Sequence, residues 1–249
     1  MNNTIVLVPV YKPTLEAYEQ YSLDQSLLVL HNQEVMLIGP EGLDISYYTA
    51  RYPGIRFRSY AANYFASIEG YNHLLLSQSF YIEYLSYEFM LILQTDAIVL
   101  RDELAIWCSR PFDYIGAPFP CGIEVYVNAG CYEGINGKNV RAHVGNGGLS
   151  LRRVQKCLSL IVEHSIFLNI FSQTGSSEDL FFSLMGQLSQ DFVLPNEIIA
   201  SHFSLELRPS YYFQINGEVL PMGGHAWWKY EPDFWSKLLP DSPLHGHLR

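Results

Sequence analysis

The stretch YEFMLILQTDAIVL, from Tyr87 to Leu100, decides the fold of this chain. Its apolar and β-branched residues predict a buried strand. The polar triplet Gln94-Thr95-Asp96 interrupts that strand. A buried carboxylate is costly unless it meets a proton, a cation or several N–H donors. The partner of Asp96 is therefore the first question that the sequence raises.

The segments before this stretch predict alternating strands and helices. The continuous apolar run Thr4–Val10 predicts a strand that is covered on both faces, and shorter runs predict strands at Val35–Gly39 and Ile55–Tyr60. Apolar residues near helical spacing predict helices at Leu15–Leu30 and Tyr71–Tyr87. Strands that alternate with helices are typical of an α/β protein with right-handed crossovers. We therefore predict an α/β fold whose sheet is mainly parallel and flanked by helices.

The segments after the opening stretch are less regular. Residues from Pro120 to Arg141 are rich in Gly, Asn and Cys and predict a long loop. Gly147–Leu168 predicts a strand followed by an amphipathic helix. Ser176–Leu188 begins with Ser and acidic residues and continues apolar, which is typical of a helix with a capped N-terminus.

Composition and charge limit the partners of the chain. It has 249 residues, of which 49% are hydrophobic and 16% are charged, so one domain with one core is expected. Its net charge is −10, and no basic cluster exceeds the pair Arg152-Arg153. Duplex nucleic acid needs clustered Lys and Arg for its phosphates, so it is not an expected partner. An anionic nucleotide can still bind through backbone amides or a divalent cation.

The sequence also predicts the compartment. The start, MNNTIVLVPVYKP, has no positive leader and its apolar run is cut by Pro9, so neither a signal peptide nor a membrane anchor is expected. The later apolar runs are shorter than a membrane span, so no transmembrane segment is expected. Cys108, Cys121, Cys131 and Cys157 show no zinc-like spacing. These features predict free thiols in a reducing cytoplasm.

Two candidate functional groups lie beside predicted strands. Asp96 could hold a divalent cation against a diphosphate, or it could cap the following turn through backbone N–H groups. Gly147 and Gly148 permit either the close approach of a ligand or a turn with positive φ. The chain has no GxGxxG fingerprint and no P-loop motif, which argues against NAD binding and P-loop NTPases.

Two further groups lie at a helix start and in the tail. Glu178 and Asp179 could cap a helix N-terminus or supply a general base. His225, within GGHAWW, could be a metal ligand or a hydrogen-bonded core histidine. Trp227 and Trp228 could stack on a sugar or a base, or they could be buried in the core. The residues alone leave these alternatives open.

Six segments in sequence order carry a resemblance to a known family. They are YNHLLLS, YEFMLILQTDAIVL, DYIGAPF, VGNGGLSLR, EDLFF and GGHAWWKY, and they run from about Tyr71 to Trp235. Together they resemble a bacterial family of uncharacterised GT-A-like glycosyltransferases, and LVPVYK resembles the opening of GT-A enzymes. The resemblance implies a Rossmann-like nucleotide-diphospho-sugar transferase fold with a mixed, mainly parallel sheet. It implies a single domain over residues 1–249, with a nucleotide-binding half at about 1–110 and an acceptor and catalytic half at about 111–249.

The resemblance also implies roles for individual residues. GT-A enzymes usually bind Mn²⁺ or Mg²⁺ through an Asp-x-Asp motif, which is reduced here to Gln-Thr-Asp. Only Asp96 therefore matches a ligand position, and His225 is the expected second ligand. Asp179 is the expected catalytic base, with Glu178 as the alternative. The expected donor-binding residues are Pro9, Val10, Tyr11, Gln94, Thr95, Asn146, Gly147 and Gly148.

The implied activity is that of a hexosyltransferase-like enzyme that depends on a nucleotide sugar. The expected donor is a UDP-sugar, the expected acceptor is a glycan or a lipid-linked molecule, and the acid pair implies inversion. The implied setting is bacterial surface polysaccharide or glycoconjugate synthesis, in the cytoplasm or at the inner face of the membrane. One alternative is a non-catalytic module that binds glycans or nucleotide sugars. The other is a nucleotidyltransferase, which needs a basic residue near a triphosphate, and the opening of the chain offers only Lys12.

Overall fold

The structure, a computed structural model, describes residues 3–244, so the outermost residues of the predicted 1–249 domain lie outside it. Its strands are β1 (Thr4–Pro9), β2 (Glu34–Pro40), β3 (Arg56–Tyr60), β4 (Phe89–Leu93), β5 (Ala97–Val99), β6 (Tyr114–Ile115), β7 (Ala117–Val127), β8 (Lys138–Gly145), β9 (Leu149–Arg153), β10 (Ser204–Leu205) and β11 (Gly223–His225). Its α-helices are α1 (Ala17–Val29), α2 (Ser46–Arg51), α3 (Ile68–Leu75), α4 (Gln78–Glu83), α5 (Leu104–Cys108), α6 (Val154–Glu163), α7 (Ser165–Thr174), α8 (Glu178–Leu188), α9 (Glu197–Phe203), α10 (Pro209–Ile215) and α11 (Pro232–Leu238).

The largest sheet has six strands in the order β3-β2-β1-β4-β9-β6. The pairs among β3, β2, β1 and β4 are parallel, whereas β9 runs antiparallel to both β4 and β6. The sheet is therefore mixed and mainly parallel. The chain first builds outward from β1 on one side and then adds β4 on the other, so the carboxyl ends of β1 and β4 meet at a topological switch point. Ligands of open α/β sheets bind at such a point.

The stretch Tyr87–Leu100 forms two strands that belong to different sheets. Strand β4 lies inside the six-stranded sheet, whereas β5 pairs antiparallel with β11 in a three-stranded sheet. The turn between them contains a backbone hydrogen bond from Ala97 N to Gln94 O (2.9 Å). The polar triplet thus marks a change of sheet, and Asp96 lies in the turn beyond the carboxyl end of β4.

The prediction of one helix over Tyr71–Tyr87 is wrong, because the chain forms two helices, α3 and α4. Leu76 ends the first helix, and the Ser77 hydroxyl accepts a hydrogen bond from Phe80 N (3.3 Å) as the N-cap of the second. Apolar residues continue near helical spacing across the break, so periodicity alone does not reveal it. The serine is the local signal for a new helix start.

Replacing Ser77 with Ala should lower the free energy of unfolding by about 1 kcal/mol, because Phe80 N loses its capping acceptor. Urea unfolding followed by circular dichroism measures this difference. Ser86→Ala, at an exposed turn position, is the matched control and should have little effect. Equal stability of the Ser77→Ala and control variants would show that the cap contributes nothing.

The prediction of a long loop from Pro120 to Arg141 is also wrong, because β7 and β8 pair as an antiparallel hairpin. The register shifts between Pro118 and Ile123, where Cys121 and Gly122 have positive φ (65° and 71°). Such a bulge bends a strand and interrupts its ladder. Proline and glycine inside β7 hide the alternation that would otherwise identify a strand.

Apolar side chains cover both faces of the large sheet. Along β1, Ile5 and Leu7 pack into one core, and Val6 and Val8 pack into another. All four residues are fully buried. Successive residues of a strand point to opposite faces, so a continuous apolar run requires cover on both sides. The first strand was predicted to have this environment, and the structure agrees.

The helical segment after β9 is bent. The predicted amphipathic helix within Gly147–Leu168 ends at Glu163, and α7 continues from Ser165 at an angle of 85° to α6. Within residues 3–244, no single helix has both the length and the apolar character needed to cross a membrane. The bent pair α6 and α7 meets those two conditions only when its halves are counted together.

Candidate active site

A pocket of about 770 Å³ opens at the switch point between β1 and β4. Its wall also includes the connection from β8 to β9, the start of α8 and the end of β11. The chain thus brings together residues that are far apart in sequence, although their roles stay predictions. The predicted site residues that line this pocket are Pro9, Tyr11, Gln94, Thr95, Asp96, Asn146, Gly147, Gly148, Glu178, Asp179 and His225.

Val10 is the predicted donor-binding residue that does not line the pocket. Its side chain is buried in a core, and its backbone N–H donates to Ile38 O (2.8 Å). Its neighbours Pro9 and Tyr11 do line the pocket. Val10 therefore contributes packing behind the site, because adjacent residues of an extended chain face opposite ways.

The glycine pair lets the backbone pass close to two candidate side chains. A Cβ atom at Gly147 would lie 2.4 Å from Glu178 Oε1. A Cβ atom at Gly148 would lie 2.2 Å from His225 Nε2. Positive φ in this segment belongs to Asn146 (50°). Close approach, rather than a positive-φ turn, therefore requires glycine at both positions.

His225 lies between two carboxylates. Its Nε2 donates to Asp96 Oδ1 (3.0 Å), and its Nδ1 donates to Glu206 Oε2 (2.8 Å). Burial lowers the pKa of His225, but the two hydrogen bonds and the two negative charges outweigh burial and raise the pKa to about 10. At neutral pH His225 is therefore an imidazolium. The cation that Asp96 meets beyond β4 is this histidine.

Asp96 is ionised and has a second cation nearby. Burial raises the pKa of Asp96, but the hydrogen bond and charge of His225 and the charge of Lys229 outweigh burial and lower the pKa overall. Lys229 Nζ lies 4.0 Å from Asp96 Oδ2. The Lys229 side chain is 59% exposed, so this ion pair is weak and the ammonium is available to an anionic ligand.

Asp96 and His225 could together bind a divalent cation whose other ligands are phosphate oxygens. Carboxylate and imidazole are both metal ligands, and Glu206 fixes the imidazole from its far side as carboxylates do in many metal sites. Within residues 3–244, no group of three or more His, Cys, Asp or Glu side chains could hold a metal ion. Mg²⁺ needs only one or two carboxylates when phosphates and water complete its shell. A cation at this pair would displace the Nε2 proton of His225.

The acid pair at the start of α8 has two different environments. Glu178 Oε1 accepts a hydrogen bond from Nη2 of the fully buried Arg152 (2.9 Å). Asp179 Oδ1 accepts from Leu180 N (2.7 Å), and its Oδ2 accepts from Gly147 N (3.3 Å). Asp179 therefore accepts a backbone N–H of the first helical turn while it also lines the pocket. A buried guanidinium orients Glu178, whereas backbone amides orient Asp179.

The two adjacent tryptophans have different environments. Trp227 is fully buried, and its Nε1 donates to Ser22 Oγ (2.8 Å). Trp228 lines the pocket and stacks on Tyr18, with ring centroids 5.3 Å apart and ring planes at 17°. Trp227 is thus a core residue, and Trp228 offers an aromatic surface at the pocket wall.

Two residues that line the pocket or contact a residue of its wall gave no clear functional signal in the sequence. Glu206 directly follows the two-residue strand β10, and no motif surrounds it. Glu19 accepts a hydrogen bond from Thr95 Oγ1 (3.1 Å) and lies 3.4 Å from Lys12 Nζ. Glu19 also completes a capping box at the start of α1, a position that predicts a structural role. Only the fold brings Glu206 to His225 and Glu19 to Thr95.

Strand order and pocket position define a GT-A fold, and solved structures with this fold superimpose on the chain. An active-site mutant of LgtC matches with a TM-score of 0.54 and 14% identity, over 89% of this chain and 86% of that chain. The apo form of mouse xyloside xylosyltransferase 1 matches with a TM-score of 0.50 and 11% identity, over 88% of this chain and 96% of that chain. The bifunctional glycosyltransferase WbbM matches with a TM-score of 0.51 and 12% identity, over 97% of this chain and 50% of that chain. The predicted GT-A-like fold is confirmed, and at these identities the likeness concerns the fold alone.

The sequence family is defined by a match over residues 54–225, to the family described as "Protein of unknown function (DUF5672)". That range covers more than half of the 249 residues, so the chain belongs to the DUF5672 family. The range contains Asp96 and Asp179 and ends at His225. No curated protein matched the chain by sequence. The activity therefore has to be inferred from the pocket.

Proposed function

We propose that this protein is a glycosyltransferase that moves a sugar from a nucleotide-sugar donor to a hydroxyl group of an acceptor. The observation that carries the proposal is one pocket that combines the Asp96–His225 pair with the carboxylate of Asp179. The pair can hold the diphosphate end of a donor through a cation, and Asp179 can accept a proton. The glycosyltransferases that share the GT-A fold support the same activity.

The donor nucleoside is proposed to lie at the ends of β1 and β4. Pro9, Tyr11 and Thr95 face the pocket there. Tyr11 is more than half exposed, and its ring offers a flat surface for a base. We expect a UDP-sugar, with its sugar near the backbone of Asn146–Gly148 and the side chain of Gln94.

The diphosphate is proposed to lie against Asp96, His225 and Lys229. Asp96 and His225 would hold Mn²⁺ or Mg²⁺, which when bound neutralises the charge that develops on the leaving diphosphate. Lys229 adds a positive charge from the pocket wall. An anionic leaving group is thus matched by positive charge, although the whole chain carries a net charge of −10.

The transfer step is proposed to be a single displacement with inversion. The acceptor oxygen attacks the anomeric carbon while Asp179 takes the proton of that hydroxyl. The bond from the anomeric carbon to the diphosphate oxygen breaks, and its electron pair leaves with the diphosphate. The transition state is oxocarbenium-like, as in glycoside hydrolysis. The hydrogen bonds from Gly147 N and Leu180 N hold the carboxylate of Asp179 in position for this step.

The biological setting of the proposal follows from the family resemblance. The acceptor would be a glycan or a lipid-linked molecule, in the synthesis of a bacterial surface polysaccharide or glycoconjugate. The enzyme would act in the cytoplasm or at the inner face of the membrane.

Thermal unfolding with a panel of nucleotide sugars tests the proposal. A ligand that binds only the native state at about 100 times its Kd adds about 2.7 kcal/mol of stability, so Tm should rise by several degrees for the correct nucleotide. Addition of Mn²⁺ should increase this shift. The protein should also slowly hydrolyse the nucleotide sugar that it binds. Release of the free sugar measures this hydrolysis.

The outcomes separate the proposal from its rivals. A shift in Tm without any turnover of the nucleotide sugar would favour a non-catalytic binding module. A shift produced by nucleoside triphosphates but not by nucleotide sugars would favour a nucleotidyltransferase. No shift with any nucleotide would contradict the proposed donor.

A further inference from the structure

Ser150 lies behind the pocket wall and is hydrogen-bonded to it. The residue belongs to strand β9, is fully buried and is not a lining residue of the pocket. Its hydroxyl donates to Gly147 O (2.9 Å), and Gly147 N in turn donates to Asp179 Oδ2 (3.3 Å). Two hydrogen bonds therefore connect a buried strand residue to the carboxylate of the proposed base.

Arg152 fixes the direction of the Ser150 hydroxyl. Arg152 Nε and Nη2 both donate to Ser150 Oγ (3.1 and 3.0 Å). A guanidinium has only donors, so the hydroxyl oxygen must accept from it, and the single hydroxyl proton is left for Gly147 O. Arg152 is itself fully buried and also donates to Tyr81 Oη (3.0 Å) and Glu178 Oε1 (2.9 Å). A planar guanidinium with this many partners has one orientation, so the Ser150 proton has one direction.

Strand β9 gives both side chains a rigid support. Ser150 and Arg152 are two residues apart, so they lie on the same face of the strand. The strand pairs with β4 on one side and with β6 on the other, within the six-stranded sheet. Groups on a paired strand are placed more precisely than groups on a loop. The sheet therefore provides a fixed reference for the connection from β8 to β9.

The glycine pair in this connection depends on such outside support. Glycine has more conformational freedom to lose than any other residue, so Gly147 and Gly148 do not fix their own backbone. Gly147 is held at both of its backbone polar atoms, at N by Asp179 and at O by Ser150. Gly148 O accepts from Gln94 N (2.8 Å). The place of Gly147 N, and with it the place of Asp179 Oδ2, thus depends on the hydrogen bond from Ser150.

We propose that Ser150 is a positioning residue for the carboxylate of Asp179, and that Arg152 sets the direction of its hydroxyl. The inference rests on the proposed function, in which Asp179 takes the proton of the acceptor hydroxyl. Ser150 acts from behind the pocket wall, through the backbone of Gly147. A misplacement of about 1 Å at a reacting group can cost about 10²-fold in rate, so a hydrogen bond that fixes the base affects turnover.

Steady-state kinetics of Ser150→Ala tests the positioning role. We expect kcat to fall by about 10- to 100-fold, while KM and the dissociation constant of the donor stay within a few-fold of wild type. Alanine removes the hydroxyl that holds Gly147 O and adds no bulk to the buried strand. Amide hydrogen exchange followed by NMR should be faster at Gly147 N in the variant, because its backbone is no longer fixed.

A double-mutant cycle shows whether the effect passes through Asp179. In Asp179→Asn, an amide NH2 takes the place of the oxygen that accepts from Gly147 N. The connection from Ser150 is already broken in that variant, so adding Ser150→Ala should not lower its turnover further. Loss of the Ser150 effect in the Asp179→Asn background is a coupling that general destabilisation does not produce.

Tyr81→Phe is the matched control. It removes another acceptor of the same buried guanidinium, and Tyr81 is not a lining residue of the pocket. It should lower Tm, as Ser150→Ala does, but it should keep wild-type turnover and wild-type exchange at Gly147 N. Ser150→Ala is preferred to a change of Arg152, because loss of the guanidinium breaks hydrogen bonds to three buried residues at once.

The results separate failure of the positioning role from failure of the proposed function. If the folded wild type turns over no nucleotide sugar, the proposed function fails and the positioning role fails with it. If Asp179→Asn keeps wild-type turnover, the base role and the positioning role fail while transfer stands. If Ser150→Ala keeps wild-type turnover, matches Tyr81→Phe, or costs the same factor in both backgrounds, only the positioning role is wrong. A loss that requires Asp179, with faster exchange at Gly147 N, supports it.

Discussion

Asp179→Asn is expected to lower turnover of the nucleotide-sugar donor by about 10²- to 10⁴-fold, the usual contribution of a general base. Asparagine has the shape of aspartate and keeps one oxygen, which can accept from Leu180 N, the closer of the two backbone donors (2.7 Å), while its amide NH2 takes the place of the oxygen that accepts from Gly147 N (3.3 Å). It cannot take a proton from an acceptor hydroxyl. The dissociation constant of the donor should therefore stay within a few-fold, because the variant changes the transition state and not the bound donor.

Steady-state kinetics and donor titration on the same preparation separate these two quantities. Asp102→Asn, at an exposed position outside the pocket, is the matched control and should keep wild-type turnover. Turnover close to that of the wild type in Asp179→Asn would remove the base role from this residue. If Glu178→Gln then stopped turnover at unchanged donor affinity, Glu178 would be the base.

The strands that build the switch point could be predicted from sequence because their physical signal is local. The first strand and the part of the opening stretch from Phe89 to Leu93 are apolar without interruption, and such runs need cover on both faces. The β7–β8 hairpin could not be predicted in the same way. Its proline, its glycine and its register shift disrupt the alternation of apolar and polar residues that identifies a strand with one buried face and one exposed face. The break between α3 and α4 is missed for the opposite reason, since apolar periodicity continues through it.

A residue of the candidate site could be predicted only where its immediate sequence neighbours mark it as unusual. Asp96 is conspicuous because a carboxylate follows an apolar run, and His225 because glycines precede it. Glu206 has no such context, yet it holds His225 at 2.8 Å. Tyr71 lies within an ordinary helical pattern, and only the fold places it in the pocket wall. Contacts between residues far apart in sequence cannot be read from composition or spacing.

Removal of divalent cations is expected to abolish turnover, and Asp96→Asn is expected to weaken binding of Mn²⁺ in the presence of UDP. Loss of a residue that hydrogen-bonds to a metal ligand lowers metal affinity by about 10- to 100-fold. Loss of a ligand itself, as in Asp96→Asn, should lower Mn²⁺ affinity by at least that factor. Within residues 3–244 the site offers only Asp96 and His225, so loss of one removes half of the protein ligands. Calorimetric titration of Mn²⁺ into the UDP-bound protein measures the effect, and Asp102→Asn is again the control.

Full activity in EDTA would contradict this prediction and would give His225 a different role. Its pKa of about 10, raised by Asp96 and Glu206 against the effect of burial, makes it an imidazolium at neutral pH. The imidazolium and Lys229 would then face the diphosphate directly, and charge stabilisation would come from side chains. Glu206→Gln distinguishes the two schemes through metal affinity. It should lower Mn²⁺ affinity about 10- to 100-fold if the imidazole is a ligand. It should leave Mn²⁺ affinity unchanged if His225 acts only as a cation.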